Sequence, residues 1–307
     1  MIFKHGADSP IRVILRGGFG NQLHIFLASF VIAHELKKNL ILDGRFLSWS
    51  GSNSTRSLEL DKFEWEIPEY IKVSYRKSFP SLGKHLVVRK VILKIADLLS
   101  SNRSKSFLTE SLNDLPSICK YVEEYRQING EFINYDWVFE AFNRGFSTRL
   151  NLRYRCISDL EITDKTCAVH IRMTDFLDHP NIFPKLSESY YLKSISEMKA
   201  RNADRFLLFT DDVNQLESAY PKILELDGVI VVPVTVNTTE SFFLMQSCNF
   251  VITSNSTFSA LAASFIWRNQ GQVICPDIVT YHNKIDTRPK GWTRLDHQTG
   301  DFATTNY

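Results

Sequence analysis

The chain has 307 residues, enough for two domains of ordinary size. Hydrophobic residues make up 44% and charged residues 23%, the balance of a globular protein with a packed core. With 36 basic against 34 acidic residues the formal net charge is +2, which argues against a protein whose main business is nucleic acid.

In chain order, Ile11 to Leu15 reads as a buried strand. A glycine turn follows (Arg16-Gly-Gly-Phe-Gly-Asn-Gln22), then a helix to about Lys38 and a second strand, Leu40 to Asp43. Strand, glycine turn, helix and strand is how a Rossmann-like domain opens. Residues 44–160 are less regular. Within them Lys84 to Lys105 puts Val88, Val91, Ile92, Ile95 and Leu99 on one face and Lys84, Arg89, Lys90 and Lys94 away from it. That pattern suits a core helix with a solvated basic face, or a helix docked on an anionic membrane. Strands are expected at 167–172, 205–210, 229–233, 249–253 and 272–275, and helices at 187–201, 212–219, 239–248 and 257–268. Apolar strands alternating with helices predict a parallel sheet covered on both faces. The expected architecture is α/β, with Rossmann-like domains over 1–155 and 156–285 facing across a ligand cleft. Residues 286–307 are expected to pack back on the first half.

The chemistry concentrates at strand ends. Cys167-Ala-Val-His-Ile-Arg172 is an apolar strand ending in an arginine, with Asp175 and Asp178 just beyond. In open α/β sheets ligands sit at the carboxyl tips of strands. Arg172 offers a fork of donors suited to phosphate oxygens; the alternative is a surface ion pair with Asp175. His170 reads as a packed, hydrogen-bonded residue beside the site. The stretch Ser254-Asn-Ser-Thr-Phe-Ser259 follows another strand and opens a helix, whose free N–H groups favour a phosphate. Asp211 is a candidate for a ribose hydroxyl, whereas Asp212 reads as a helix cap. Glu240 either serves the start of its helix or accepts two N–H donors from a guanine edge. In the first half the glycine turn is no dinucleotide fingerprint, because Leu23 stands where the third glycine belongs. Asn21 and Gln22 either face a ligand or belong to a tight turn capped by Asn21.

Other features point to setting. Five scattered cysteines (Cys119, Cys156, Cys167, Cys248, Cys275) show no metal-ligand spacing, which suits a reducing compartment. No secretory h-region follows Lys4 and His5, and no apolar run is long enough for a membrane span. A cytoplasmic protein is expected, peripheral to the inner face of the plasma membrane if the basic helix docks there. His, Asp and Glu show no ligand spacing, so no metal is expected.

Four segments fall in order: Gly17-Gly-Phe-Gly-Asn-Gln-Leu23, His170-Ile-Arg-Met-Thr-Asp-Phe176, Phe243-Leu-Met-Gln-Ser-Cys248 and Ser254-Asn-Ser-Thr-Phe-Ser259. Together they resemble the bacterial α-1,2-fucosyltransferases of glycosyltransferase family 11, within the wider fucosyltransferase superfamily. The resemblance implies a GT-B-like fold and inverting, metal-free transfer of L-fucose from GDP-L-fucose to a galactoside hydroxyl. The acceptor would be an oligosaccharide or a lipid-linked glycan of O-antigen or capsule synthesis. Arg172 would grip the β-phosphate, Ser256 and Thr257 support the diphosphate, and Phe258 pack beside it. Glu240 and the His170 backbone would contact guanine; Asn21, Gln22 and His24 would face sugar and acceptor. Asp175, Asp178 and His179 are candidates for the base. Where the family has a second arginine this chain has Met173, and where it often has two tryptophans it has Ala260-Leu261. Those departures leave open a related donor such as GDP-colitose. A non-catalytic sugar-nucleotide or glycan-binding module is the alternative of a different class.

Overall fold

The structure is a computed structural model that describes residues 9–45, 47, 56–77, 111–149, 160–173, 180–281 and 286–303. The Lys84–Lys105 segment, Asp175, Asp178 and His179 lie outside the described residues. The chain divides into two units, Met1–Leu150 and Asn151–Tyr307.

In the first unit four parallel strands form one sheet: β1 (Ile11–Ile14), β2 (Leu40–Asp43), β4 (Val73–Arg76) and β5 (Gln127–Asn129), in the order β4-β2-β1-β5. A separate antiparallel ribbon pairs β3 (Glu64–Glu66) with β6 (Ser147–Arg149). The helix Phe19–Leu36 is apolar almost all round and is buried at every position from Phe19 through Ala33 except Asn21, as an all-round hydrophobic helix must be. It stops where Lys37 turns left-handed (φ 51°) and its N–H returns to the Ala33 and His34 carbonyls. Aromatic rings fasten the ribbon to this helix. Trp65 and Phe146 each lie edge-on to Phe26 at 5.3 Å, and Phe63 stacks on Phe19 at 5.0 Å.

The second unit holds six parallel strands: β7 (Thr166–Ile171), β8 (Arg205–Thr210), β9 (Val229–Val231), β10 (Phe250–Ile252), β11 (Gln272–Pro276) and β12 (Thr293–Leu295). Their order is β12-β11-β10-β7-β8-β9. The chain builds outward from β7 through β8 to β9. It then returns to the other side of β7 and builds outward again from β10. Between β7 and β10 the winding reverses, which is the topological switch point of a doubly wound sheet. β7 is buried at all six positions, as a central parallel strand demands. The helix Glu188–Ala200 packs Tyr190, Tyr191, Ile195 and Met198 onto the face formed by Cys167, Val169, Ile171, Phe206 and Leu208. Two of its tyrosines also tie strand tips down. Tyr190 donates to the Thr253 carbonyl (2.8 Å) and Tyr191 to the His170 carbonyl (3.3 Å).

The tail departs from its expected course. Residues 286–303 belong to the second unit, where β12 completes the sheet beside β11. The cause is a pair of buried arginines. Arg288 donates to the carbonyls of Pro276 (2.8 Å) and Asp277 (3.1 Å) at the end of β11. Arg288 and Arg294 both pair with Asp286, at 2.8 and 3.1 Å.

The turn into β9 sets a local constraint. Gly228 has φ +83°, and a Cβ there would collide with the Asp204 carbonyl oxygen. Gly228→Ala is expected to lower unfolding stability by about 1–3 kcal/mol in urea titrations. An unchanged midpoint would mean that the turn relaxes freely.

Candidate functional site

Because β7, β8 and β10 are parallel neighbours, their carboxyl tips lie side by side. Arg172 leaves β7, Asp211 leaves β8, and Ser254 to Ser256 leave β10 to start the helix Thr257–Arg268. Sequence positions far apart are thus gathered at the switch point.

Arg172 is positioned rather than loose. Its Nη1 lies 2.9 Å from Asp211 Oδ2, and the other carboxylate oxygen, Oδ1, accepts the Met173 backbone N–H at 2.8 Å. One carboxylate therefore holds both the guanidinium and the backbone that carries it. Both side chains keep about a fifth of their surface exposed, 23% for Arg172 and 21% for Asp211, so a ligand can reach the pair. Asp211, a candidate for a ribose hydroxyl, is in this structure the partner of Arg172.

His170 is buried, and its Nδ1 lies 2.8 Å from Ser254 Oγ. Burial first, then the neighbouring Arg172 charge, lower its pKa to about 3 against an upward pull from Asp211. A neutral ring beside Arg172 adds no charge to the site. Of the His170 backbone, expected to contact guanine, the carbonyl accepts the Tyr191 hydroxyl at 3.3 Å. Ser254 Oγ also accepts the Ser256 N–H (3.2 Å), so one hydroxyl links the β7 tip to the helix start. Ser256 is the N-cap, its hydroxyl accepting the Phe258 N–H at 3.3 Å. Asn255 Nδ2 donates to the Pro184 carbonyl (2.8 Å), tying this start to the loop after β7. Thr257 and Phe258 are half-buried; the Phe258 ring lies 5.5 Å from His170 and 5.7 Å from Phe242. Asp212 caps the helix Val213–Ala219. Glu240 closes a capping box with Asn237 (2.9 and 3.0 Å), so the carboxylate expected at guanine serves the start of its own helix.

In the first unit the glycine turn precedes the helix Phe19–Leu36, whose N-cap is Gly18 and not Asn21. Gly17 has φ +67°, and a Cβ on it would fall 2.7 Å from Asn21 Nδ2, so the Asn21 amide folds back against the turn. Gln22 is almost wholly buried. It donates to the carbonyls of Gly17 (3.2 Å) and Ser57 (2.9 Å) and accepts the Glu59 N–H (3.3 Å). Its amide stitches the turn to the 57–59 segment instead of facing an acceptor. His24 is fully buried, 5.1 Å edge-on from Tyr135, with no hydrogen-bond partner for either ring nitrogen among the described residues. Burial lowers its pKa to about 3. The acceptor-facing role expected for His24 is therefore replaced by an inward one.

One cluster carried no sequence signal. Asp277, Asp296 and His297, at the tips of β11 and β12, bring their ligand atoms within 4.8 Å of one another. His297 Nδ1 lies 3.0 Å from Asp277 Oδ1, while Asp296 accepts the N–H groups of Gln298 and Thr299. These bonds shape a turn. Only strand pairing brings residue 277 to residue 297, so linear spacing could not show them.

A doubly wound α/β unit with a basic side chain and a capped helix start at its switch point has the donors that suit a phosphorylated ligand. The particular family follows from comparison. Residues 11–295 match the description "glycosyl transferase family 11", and the chain belongs to that family of glycosyltransferases. It is similar to the O-antigen biosynthesis glycosyltransferase WbnK of Escherichia coli, with 24% identity over 91% of this chain and 93% of that protein. It is also similar to the crystal structure of the α-1,6-fucosyltransferase NodZ soaked with GDP-fucose. That match has 16% identity and a TM-score of 0.50, over 92% of this chain and 100% of the other. The second likeness shows the fold, α/β and GT-B-like, with a Rossmann-like sheet in each unit. Among the described residues no helix is long and apolar enough to cross a membrane.

His24→Phe is expected to raise stability by about 1 kcal/mol, because it removes two buried ring nitrogens without partners and keeps the aromatic contact. Chemical denaturation checks this. A loss of stability accompanied by weaker acceptor use would restore the site role.

Proposed function

We propose that this protein transfers L-fucose from GDP-L-fucose to a hydroxyl, O2 of a galactoside, in the synthesis of a bacterial surface polysaccharide such as O-antigen or capsule. The observation that carries this reading is the Arg172–Asp211 pair set beside the Ser254–Ser256 helix start at the switch point of the second sheet. The family match supports glycosyl transfer. The likeness to WbnK, an O-antigen biosynthesis glycosyltransferase, and to NodZ, a fucosyltransferase soaked with GDP-fucose, supports the polysaccharide and the donor.

The mechanism proposed is direct displacement with inversion at the anomeric carbon. As the bond to the β-phosphate oxygen lengthens, negative charge grows on the departing GDP. The Arg172 guanidinium, already oriented by Asp211, meets that charge without reorganising. The N–H groups and dipole of the helix beginning at Ser256 act in the same sense. In this reading the acceptor hydroxyl loses its proton as the new bond forms, and no metal takes part.

Another donor gains no specific support. Met173, Ala260 and Leu261 are all buried, so the family departures fall in the core rather than on the ligand surface.

The test is GDP release from GDP-L-fucose, with EDTA present, across a panel of β-galactosides, with GDP-colitose run alongside. Acceptor-dependent release from GDP-L-fucose is expected. Arg172→Ala is expected to lower turnover on the order of a hundredfold or more, and Asp211→Asn to lower it less while leaving GDP binding measurable. Near-normal turnover by the Arg172 variant would sink the mechanism. Preferential use of GDP-colitose would correct the donor, and GDP binding with no release on any acceptor would favour a binding module.

A further inference from the structure

The hydroxyl of Ser254 has three buried polar neighbours at the switch point. It lies 2.8 Å from His170 Nδ1, 3.2 Å from the Ser256 backbone nitrogen and 3.4 Å from Ser259 Oγ. A hydroxyl has one hydrogen to donate and two lone pairs to offer, so these contacts can be sorted. The Ser256 N–H can only donate, and it takes one lone pair. Ser259 gives its own hydrogen to the Ser256 carbonyl at 3.2 Å, so toward Ser254 it can only accept. The Ser254 hydrogen therefore goes either to His170 Nδ1 at 2.8 Å or to Ser259 Oγ at 3.4 Å. Hydroxyl donors sit about 2.5–3.0 Å from their acceptors. The first distance falls inside that range and the second outside it, so the hydrogen points at the imidazole.

That assignment fixes the ring. Burial and the Arg172 charge keep the imidazole neutral, with a pKa of about 3. A neutral imidazole carries one ring proton, and a ring that accepts at Nδ1 carries it at Nε2. His170 keeps 5% of its surface open, next along the strand end from Arg172 with 23% of its side chain exposed. With Nδ1 committed to Ser254, the nitrogen left for a ligand is a donor. An oxyanion distinguishes the two tautomers: Nε2–H attracts a phosphate oxygen, whereas a bare Nε2 turns a lone pair toward it.

We propose that Ser254 is a positioning residue whose hydroxyl locks His170 in the Nε2–H tautomer, so that the ring adds a neutral donor beside Arg172 for a phosphate oxygen of the ligand. The identity of that ligand rests on the donor-site reading above; the tautomer does not.

The experiment uses the full chain with nitrogen-labelled histidine. Long-range nitrogen–proton NMR correlations report the tautomer of each imidazole, and His170→Gln identifies the His170 signals by their loss. Wild type without ligand is expected to show His170 protonated at Nε2. Ser254→Ala is expected to give a mixture of tautomers. It should also bind GDP about threefold to tenfold more weakly by calorimetry, the loss of one hydrogen bond of ordinary strength. Ser254→Thr, which keeps the hydroxyl, should restore both. Weaker GDP binding with the tautomer unmoved would mean a merely structural role and overturn the proposal. Wild-type His170 protonated at Nδ1 overturns it as well, and so does a tautomer that shifts in Ser254→Ala while GDP affinity stays the same. Failure of wild type to bind GDP would count against the donor-site reading instead, and the ligand-free protein would still report the tautomer.

Discussion

The switch point between β7 and β10 is the constraint on which the second unit's chemistry depends. The groups expected to meet a phosphate leave strand tips at that reversal; Arg172 is held by Asp211 of a neighbouring tip and the Ser256 N–H by Ser254 of its own. Asp211 anchors Arg172 from β8, Ser254 anchors His170 from β10, and the Tyr190 and Tyr191 hydroxyls fix the backbone behind them. Such bridging matters because a charged clamp stabilises a developing charge only if it need not be oriented during the reaction. A freely rotating arginine would spend side-chain entropy on each turnover, about 2 kcal/mol at most.

Electrostatics separates the roles of the two basic residues in His170-Ile-Arg172. Burial and the adjacent guanidinium keep the imidazole neutral, so it serves as a hydrogen-bonding strut. Arg172 pairs with Asp211 and keeps about a fifth of its side-chain surface exposed. A single strand end therefore presents one packed polar residue inward and one cation outward. Strand alternation alone would put positions 170 and 172 on one face; they differ because β7 ends at Ile171 and Arg172 lies past it.

Much of the second unit was legible because most of its strands are apolar runs separated by capped helices. The apolar run ending at Arg172, the cap at Asp212 and the helix start at Ser256 all follow from local chemistry. What was not legible depends on distant partners. The Arg172–Asp211 pair joins positions 39 apart in numbering, as their residue numbers show, and only sheet register brings them together. Gln22 turns inward because the Ser57 carbonyl and Glu59 N–H need a partner 35 and 37 residues away. Gln127–Asn129 and Thr293–Leu295 each carry a single apolar residue and Val73–Arg76 alternates with polar ones, so these strands passed unseen. The inward His24 had no warning either, since a histidine in an otherwise apolar helix reads equally as a ligand contact or as packing.

The family departures illustrate how burial decides the meaning of a substitution. Met173 follows the clamp arginine directly, yet its side chain is 1% exposed and sits in the core with Val169, Tyr191 and Leu208. An arginine at that position would need its own buried counter-charge, at a cost of several kcal/mol if unpaired. Methionine fills the space without that requirement. Its contribution to the site passes through the backbone, since the Met173 N–H, which any residue but proline supplies, is what Asp211 holds. The clamp geometry is thereby independent of the side chain that differs. Ala260 and Leu261 obey the same logic inside the helix Thr257–Arg268, where they pack the core behind Ser256 and leave its cap unchanged. The departures at Met173, Ala260 and Leu261 therefore fall on buried positions behind the strand tips, while Arg172 and Ser256 are present at the tips themselves.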